Sequence, residues 1–338
     1  MTRNYSQRRY LAAKRTVDDR ALNAHVLDAV TPALRSASRI VEVGAGIGTM
    51  VERLLGRDLL GDDVTYTLVD VDADALAVAA ERIPDRAASL GYTAVGTDEG
   101  DAPTDASGET APTDPRHAVE LRDGDRTVRV ETVVADATAY LTRAASDGEA
   151  DSGPGSVPGA TPTPDVLVGC AFLDLLCPPA ADDLFAALPD GCVCYFPITF
   201  DGGTWFGPEV DLDFDDRVVE RYHEDMRRRD EPGDPHAGRR VLARATADHD
   251  LLAAGASDWV VAPAADGGYP ADEAYFLHHI VDTVDRALAD DPRLDDPRLD
   301  NDCLDNDRLA AWTQRRHEAI EAGELVYVAH QLDVALHV

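Results

Sequence analysis

Apolar residues along the chain fall into two patterns, short unbroken runs and longer stretches with an apolar position every three or four residues. Residues 6–36 show the second pattern, with Leu11, Val17, Leu22, Val26, Leu27, Val30 and Leu34 on roughly one helical face. RIVEV (39–43) predicts a buried strand, followed by a glycine-bearing turn and a helix through Val51, Leu54 and Leu55. VTYTLVD (64–70) and ADALAVAAERI (73–83) repeat the strand-helix pair. AVELRDGDRTVRVETVVAD (118–136) reads as a hairpin turning near Asp123-Gly124, its second arm entering the core. A short helix, strand DVLVGC (165–170), helix PAADDLFAALP (179–189) and strand CVCYFPI (192–198) follow.

This alternation predicts an α/β fold with a mainly parallel sheet and helices on both faces. From Thr199 the pattern loosens into an insertion reaching about Arg239. A helix (240–254), strand DWVVA (258–262) and a closing strand ELVYVAHQLDVAL (324–336) come after it. Two acidic stretches rich in Gly, Pro, Ser and Thr, about 95–117 and 146–164, have little to bury and are expected to be disordered insertions. The repeat DDPRL-DDPRL-DNDCL-DNDRL (290–309) has a period too short for a solenoid and two prolines that oppose a helix, so an exposed acidic loop is expected. The expected organisation is a helical cap (1–36), a ligand-binding core (37–200) and substrate-side insertions, helices and last strands of the same domain (200–338).

Composition adds a constraint on the surroundings. The 338 residues carry 64 acidic and 31 basic side chains, a formal charge of −33, and Lys14 is the only lysine. Such self-repulsion strains a compact fold at modest salt. It largely vanishes at molar salt, where the Debye length is about 3 Å. A salt-accumulating source of the haloarchaeal kind is therefore expected; the alternative, an acidic mesophilic protein with disordered tails, does not explain the near absence of lysine. The charge opposes nucleic acid as the main partner, an Arg227–Arg229 patch notwithstanding. Five scattered cysteines without a CxxC pair argue for reduced thiols and no metal site. No run approaches the roughly 20 apolar residues of a membrane span, and a cytoplasmic location is expected.

The turn after the first strand, VEVGAGIGTM, raises the question of chemistry. Its glycines are Gly44, Gly46 and Gly48, and Thr49 stands where a dinucleotide fingerprint needs its third glycine. EVGAGIG resembles the first motif of class I S-adenosylmethionine-dependent methyltransferases, which have a Rossmann-like fold. YTLVDVDADAL, VETVVADATAYL, DVLVGCAFLDLL and LPDGCVCYF resemble that family's later motifs, in order and at matching intervals, over about residues 37–200. The resemblance implies a seven-stranded, doubly wound sheet and S-adenosylmethionine as cofactor. It implies that Glu42, Gly44, Ala45, Gly46 and Gly48 seat the methionyl end and that Asp70 binds the ribose hydroxyls. Val71, Asp136 and Ala137 would meet the adenine, and Cys170 and Ala171 would lie beside the methionyl group.

The acceptor is less legible. Gly169-Cys170-Ala171-Phe172 lacks the Asn/Asp-Pro-Pro-Tyr/Phe of enzymes that methylate base amines or glutamine amides, and Cys177 precedes Pro178 and so reads as the end of a helix. A small-molecule substrate is expected. Phe172, Trp205 and Phe206 are candidates for its pocket, and Asp201, Tyr222 and His223, with Glu209, for proton acceptors. Lys14 or Arg20 could contact the methionyl carboxylate, whereas His278 and His279 read as framework. An NAD(P)-dependent oxidoreductase and a non-catalytic nucleoside-binding protein stay open as alternatives. The sequence leaves the oligomeric state unread.

Overall fold

The computed structural model describes residues 6–96, 117–150, 163–265, 267–289 and 306–338. The helical stretch at the start divides into α1 (Gln7–Ala21) and α2 (Ala24–Ser36), because Asn23 accepts the Val26 N–H and caps α2. Next come β1 (Arg39–Val43), α3 (Thr49–Gly56), β2 (Asp63–Asp70), α4 (Ala73–Ser89) and β3 (Thr93–Gly96). β4 (His117–Asp123), β5 (Arg126–Val134), α5 (Ala137–Ala150) and β6 (Val166–Val168) follow. A 3-10 turn at Leu173–Leu175 leads to α6 (Pro178–Ala186), β7 (Val193–Gly207), α7 (Leu212–Met226) and α8 (Ala237–Ala247). The remaining elements are β8 (Asp250–Ala256), β9 (Trp259–Val261), α9 (Glu273–Ala289), α10 (Asn306–Glu321) and β10 (Val326–His337).

The strands form one open ten-stranded sheet, ordered β3-β4-β5-β2-β1-β6-β7-β10-β8, with β9 also paired to β10. Its central strands β5, β2, β1, β6 and β7 are parallel. Among the described residues ten strands replace the expected seven. β3 escapes the sequence pattern because all four of its residues are exposed. Beyond β7 the sheet departs from the dinucleotide plan, in which a sixth parallel strand follows. Here β10 lies between β7 and β8, antiparallel to both.

Three other expectations change. β7 does not end at Ile198, since TFDGGTWFG continues it as strand against β10, with a register shift opposite Asp201-Gly202 that marks a bulge. The helix expected over 240–254 ends at Ala247, and DLLAAGA becomes β8. Its Ala/Leu run is ambiguous by periodicity, and pairing with β10 decides it. The last repeat unit starts α10 and buries Leu309, so the loop expected over 290–309 does not extend over Asn306–Leu309. Residues 290–305, like 97–116 and 151–162 of the two acidic insertions, lie outside the described residues.

Two apolar layers sandwich the sheet. Val26, Leu34, Leu54, Leu68 and Tyr66 belong to one, and Val41, Val43, Leu167, Leu184 and Phe196 to the other. A third cluster, including Phe206, Phe276, Trp312 and Tyr327, packs α7, α9 and α10 around the far ends of β7 and β10.

The first helix is held to the sheet by charge as well. Arg53 of α3 is buried and donates to Asp19 Oδ1 at 2.5 Å and Asp18 Oδ2 at 3.3 Å. Asp18, also buried, accepts the Trp259 indole N–H at 3.0 Å and pairs with Lys14 at 3.4 Å. Glu52 lies between Arg15 at 2.7 Å and Arg82 at 3.3 Å. Removing one partner of a buried pair leaves the other uncompensated, at a cost of about 3–5 kcal/mol. Arg53→Ala is expected to lower unfolding free energy by about that amount in urea titrations at fixed molar KCl. A loss under about 1 kcal/mol, the scale of an exposed pair, would show the network to be a surface feature.

Candidate functional site

Strand order reverses between β1 and β6, since β1 leads outward to β2 and the chain later returns to its other side. Ligands of open parallel sheets bind beyond the strand ends at such a point. A cleft of about 560 Å³ opens there. Its lining includes Glu42, Gly44, Ala45, Gly46, Asp70, Val71, Asp136, Ala137, Cys170 and Ala171, with Phe172 and Lys14. Gly48 is not among the lining residues. It sits at φ +72° as the N-cap of α3, and a Cβ there would fall 2.9 Å from Ile83 Cδ1. Its place is to let α3 and α4 pack closely. Gly44, at φ +62°, faces the Phe172 ring, which a Cβ would strike. Backbone therefore forms the cleft wall there.

Asp70 ends β2 and braces this turn. Its Oδ2 accepts the Gly46 N–H at 2.7 Å, and its Oδ1 accepts the Asp72 N–H at 2.9 Å. A carboxylate has about four acceptor positions, so two remain for a ligand's hydroxyls. Asp136 Oδ1 accepts the Ala139 N–H at 2.9 Å and caps α5 while lining the cleft. Val71 is 71% exposed and lines the cleft with an apolar side chain.

Glu42 lies at the floor, buried, with Oε2 accepting the Tyr66 hydroxyl at 2.9 Å. Burial pushes its carboxyl up to about 8, Asp70 adds to the rise, and Tyr66 and Arg53 oppose it. Burial likewise pushes the Cys170 thiol up to about 12, so this cysteine presents a protonated sulfur and no thiolate nucleophile. Ala171 beside it sits at φ +49° and donates its N–H to Pro197 O at 2.9 Å. Ile198, next in the chain after that carbonyl, is at φ +58° and donates to Asp333 Oδ1 at 2.7 Å. Two non-glycine residues held in the left-handed region thus shape the rim after β6 and the bend in β7.

Other candidates lie elsewhere. Arg20 forms a two-pronged pair with buried Glu273 at 2.5 and 2.8 Å, which Thr16 also bonds, and it does not line the cleft. Phe206 is buried against Trp312 and Tyr327, and Trp205 is 43% exposed on β7; neither lines the cleft. Asp201 is held by the Arg239 backbone N–H and guanidinium, both at 2.8 Å. His223 faces Thr204 Oγ1 at 3.1 Å, and burial lowers its imidazole to about 4, which keeps it neutral. Asp201, Glu209, Tyr222 and His223 are all absent from the cleft wall. Cys177 does not end a helix; it is the N-cap residue of α6, with Pro178 at the first helical position.

No family model and no curated protein matches the chain. Among solved structures it is similar to an S-adenosylmethionine-dependent methyltransferase from Thiobacillus denitrificans in complex with S-adenosyl-L-homocysteine, at 14% identity over 99% of this chain and 100% of that one, TM-score 0.41. It is also similar to a Geobacter sulfurreducens methyltransferase with the same ligand, at 14% identity over 97% of each chain, TM-score 0.40.

Several lining residues carried no sequence signal. Leu11, Ile47, Leu175, Leu176 and Glu231 reach the cleft from helix, turn and loop positions whose direction only the fold sets. Asp18 could have been suspected, as one acid on the apolar side of α1.

The state of Glu42 has a measurable consequence. An ordinary glutamate in the unfolded chain titrates near 4.3, below its folded value of about 8. Its contribution to stability is therefore fully present below pH ~4.3 and declines as pH rises toward the folded value. Glu42→Gln is expected to flatten the fall in stability between pH 5 and 8, measured by denaturant titration across that range. Parallel profiles for the two proteins would place the charge on Glu42 throughout.

Proposed function

We propose that the protein is an S-adenosylmethionine-dependent methyltransferase acting on a small molecule. What carries this reading is the meeting of three separate sequence motifs in one cleft: the glycine turn, Asp70-Val71 and Asp136-Ala137. The residues present fit the cofactor. Asp70 has acceptor capacity left for a ribose diol, Val71 and Ala137 offer apolar surface to an adenine, and Asp136 is beside them for its exocyclic amine. Glu42 and Lys14 would serve the ammonium and carboxylate of the methionyl end. The bound cofactor would supply a methyl group on a positively charged sulfur, a good leaving group.

The chain's own part is then to align the acceptor and exclude water. Leu11 of α1 and Leu175 and Leu176 after the 3-10 turn give the cleft apolar walls suited to that. Its volume is in the range of small-molecule sites, about 300–1,000 Å³. A hydride-transferring oxidoreductase is disfavoured by Thr49 in place of the third fingerprint glycine and by antiparallel β10 where that plan has a parallel strand. In this reading the protein works in a salt-rich cytoplasm, and its charge of −33 directs it away from nucleic acid.

Calorimetry in molar KCl tests this directly. S-adenosylmethionine and S-adenosylhomocysteine are expected to bind, NAD is not, and Asp70→Ala should weaken the adenosyl ligands by about 1–3 kcal/mol, the scale for a hydrogen bond to a charged group. Binding of NAD with neither sulfur nucleoside would overturn the assignment.

A further inference from the structure

The cleft wall contains one carboxylate that the fold does not use. Six acids line the cleft, Asp18, Glu42, Asp70, Asp72, Asp136 and Glu231, against one base, Lys14. Five of the six already have donors. Asp18 is held by Arg53, Lys14 and Trp259, Glu42 by Tyr66, and Asp70 by the Gly46 and Asp72 N–H groups. Asp72 caps α4 by accepting the Asp74 and Ala75 N–H groups, and Asp136 caps α5. The Glu231 carboxylate has neither a hydrogen bond nor an ion pair among the described residues. Only its main-chain oxygen is engaged, by Arg229 Nε at 3.1 Å.

Glu231 is also the one lining residue beyond Leu176 in the chain. Its segment joins α7 to α8 and is pinned on both sides. The Gly233 N–H bonds Met226 O at the end of α7, at 2.7 Å, and the Asp234 N–H bonds Asp174 O in the 3-10 turn, at 3.0 Å. A Cβ on Gly233 would fall 2.4 Å from that Asp174 oxygen, so the segment lies directly on the turn. Buried Asp234 is paired to Arg240 of α8 at 2.6 Å. The same turn carries Leu175, 55% exposed, and leads to Leu176, both in the cleft wall. A free carboxylate and an exposed apolar side chain thus share one rim. That rim follows β6, across β1 from the strands that end in Asp70 and Asp136.

What complements the rim is a cation with an apolar body. At molar salt the Debye length of about 3 Å screens the summed field of the lining acids. Selection by charge then falls to a carboxylate that the ligand touches, and Glu231 is the one without a prior partner. Lys14 offers an anionic ligand little in return, because it is paired with Asp18 at 3.4 Å.

We propose that Glu231 sets the class of the methyl acceptor: it receives the protonated amine of a small molecule whose apolar body lies against Leu175 and Leu176. This rests on the methyltransferase reading. Glu231 takes no part in the transfer itself. It anchors the acceptor on one side of the cleft, while Asp70 and Asp136 serve the cofactor on the other.

Benzylamine, benzyl alcohol and benzoate test this, since they share one apolar ring and differ in charge. Calorimetry in molar KCl on the S-adenosylhomocysteine complex is expected to show benzylamine binding most tightly and benzoate not at all. Glu231→Gln should weaken benzylamine about three- to tenfold, between the scale of an exposed ion pair and that of a hydrogen bond to a charged group. Benzyl alcohol and S-adenosylhomocysteine should bind the variant as they bind the wild type. Glu231→Lys should reverse the order, so that benzoate binds more tightly than benzylamine. Unchanged benzylamine affinity in Glu231→Gln, benzyl alcohol or benzoate matching benzylamine on the wild type, or no benzylamine binding would each overturn the assignment. So would a loss of S-adenosylhomocysteine affinity in Glu231→Gln, which would put this carboxylate on the cofactor. If the wild-type protein does not bind S-adenosylhomocysteine at all, it is the methyltransferase reading that fails.

Discussion

The Asp18 carboxylate is the joint on which the cleft depends. It is buried on α1 and reached by three donors from different places, Arg53 on α3, Lys14 on its own helix and Trp259 on β9. Through them the first helix is tied both to the glycine-turn helix and to the antiparallel end of the sheet. Leu11 and Lys14, which help to wall the cleft, stand on the helix so fixed. Charge does here what apolar packing alone would do less specifically. A slipped helix would leave an aspartate and an arginine buried apart, an arrangement several kcal/mol worse. Because the contacts are buried, added salt screens them far less than it screens the acidic surface. The same high salt that relieves the surface therefore leaves this joint intact.

Asp70 and Asp136 show how one carboxylate can hold the fold and remain open to a ligand. Each satisfies backbone N–H groups at the start of a turn or helix, and each keeps acceptor capacity directed at the cleft wall. Structural and ligand-facing readings of these residues, posed as rivals by the sequence, are compatible. Glu42 differs. With its carboxyl raised toward 8 by burial, it enters neutral solution largely protonated, and a cationic ligand would have to draw its charge out.

Sequence periodicity located the parallel half of the fold well, because buried parallel strands are unbroken apolar runs with no competing pattern. It did worse beyond Ile198. There TFDGGTWFG and DLLAAGA owe their strand form to pairing with β10, over 120 and about 80 residues away, which no local window contains. The cleft was legible for the same reason as the core, since glycines and strand-ending acids announce themselves locally. The acceptor side was not. Asp201, Tyr222, His223, Trp205 and Phe206 looked chemical in sequence, and the fold turns them into an ion pair, a helix face and a bulged strand.

The position of β10 has a consequence for how the molecule is assembled. This strand is the last described element to leave the ribosome, yet it lies inside the sheet, with β7 on one side and β8 on the other. Until it is made, β7 exposes one hydrogen-bonding edge, and β8 and β9 have no partner among the described residues. The five parallel strands around the cleft can gather while synthesis continues, whereas the antiparallel third must wait for its centrepiece. Contacts of such sequence separation form slowly. In the interval the nascent chain has open strand edges on β7, β8 and β9, and repulsion among its many carboxylates is the obvious force that keeps neighbouring copies from pairing with them.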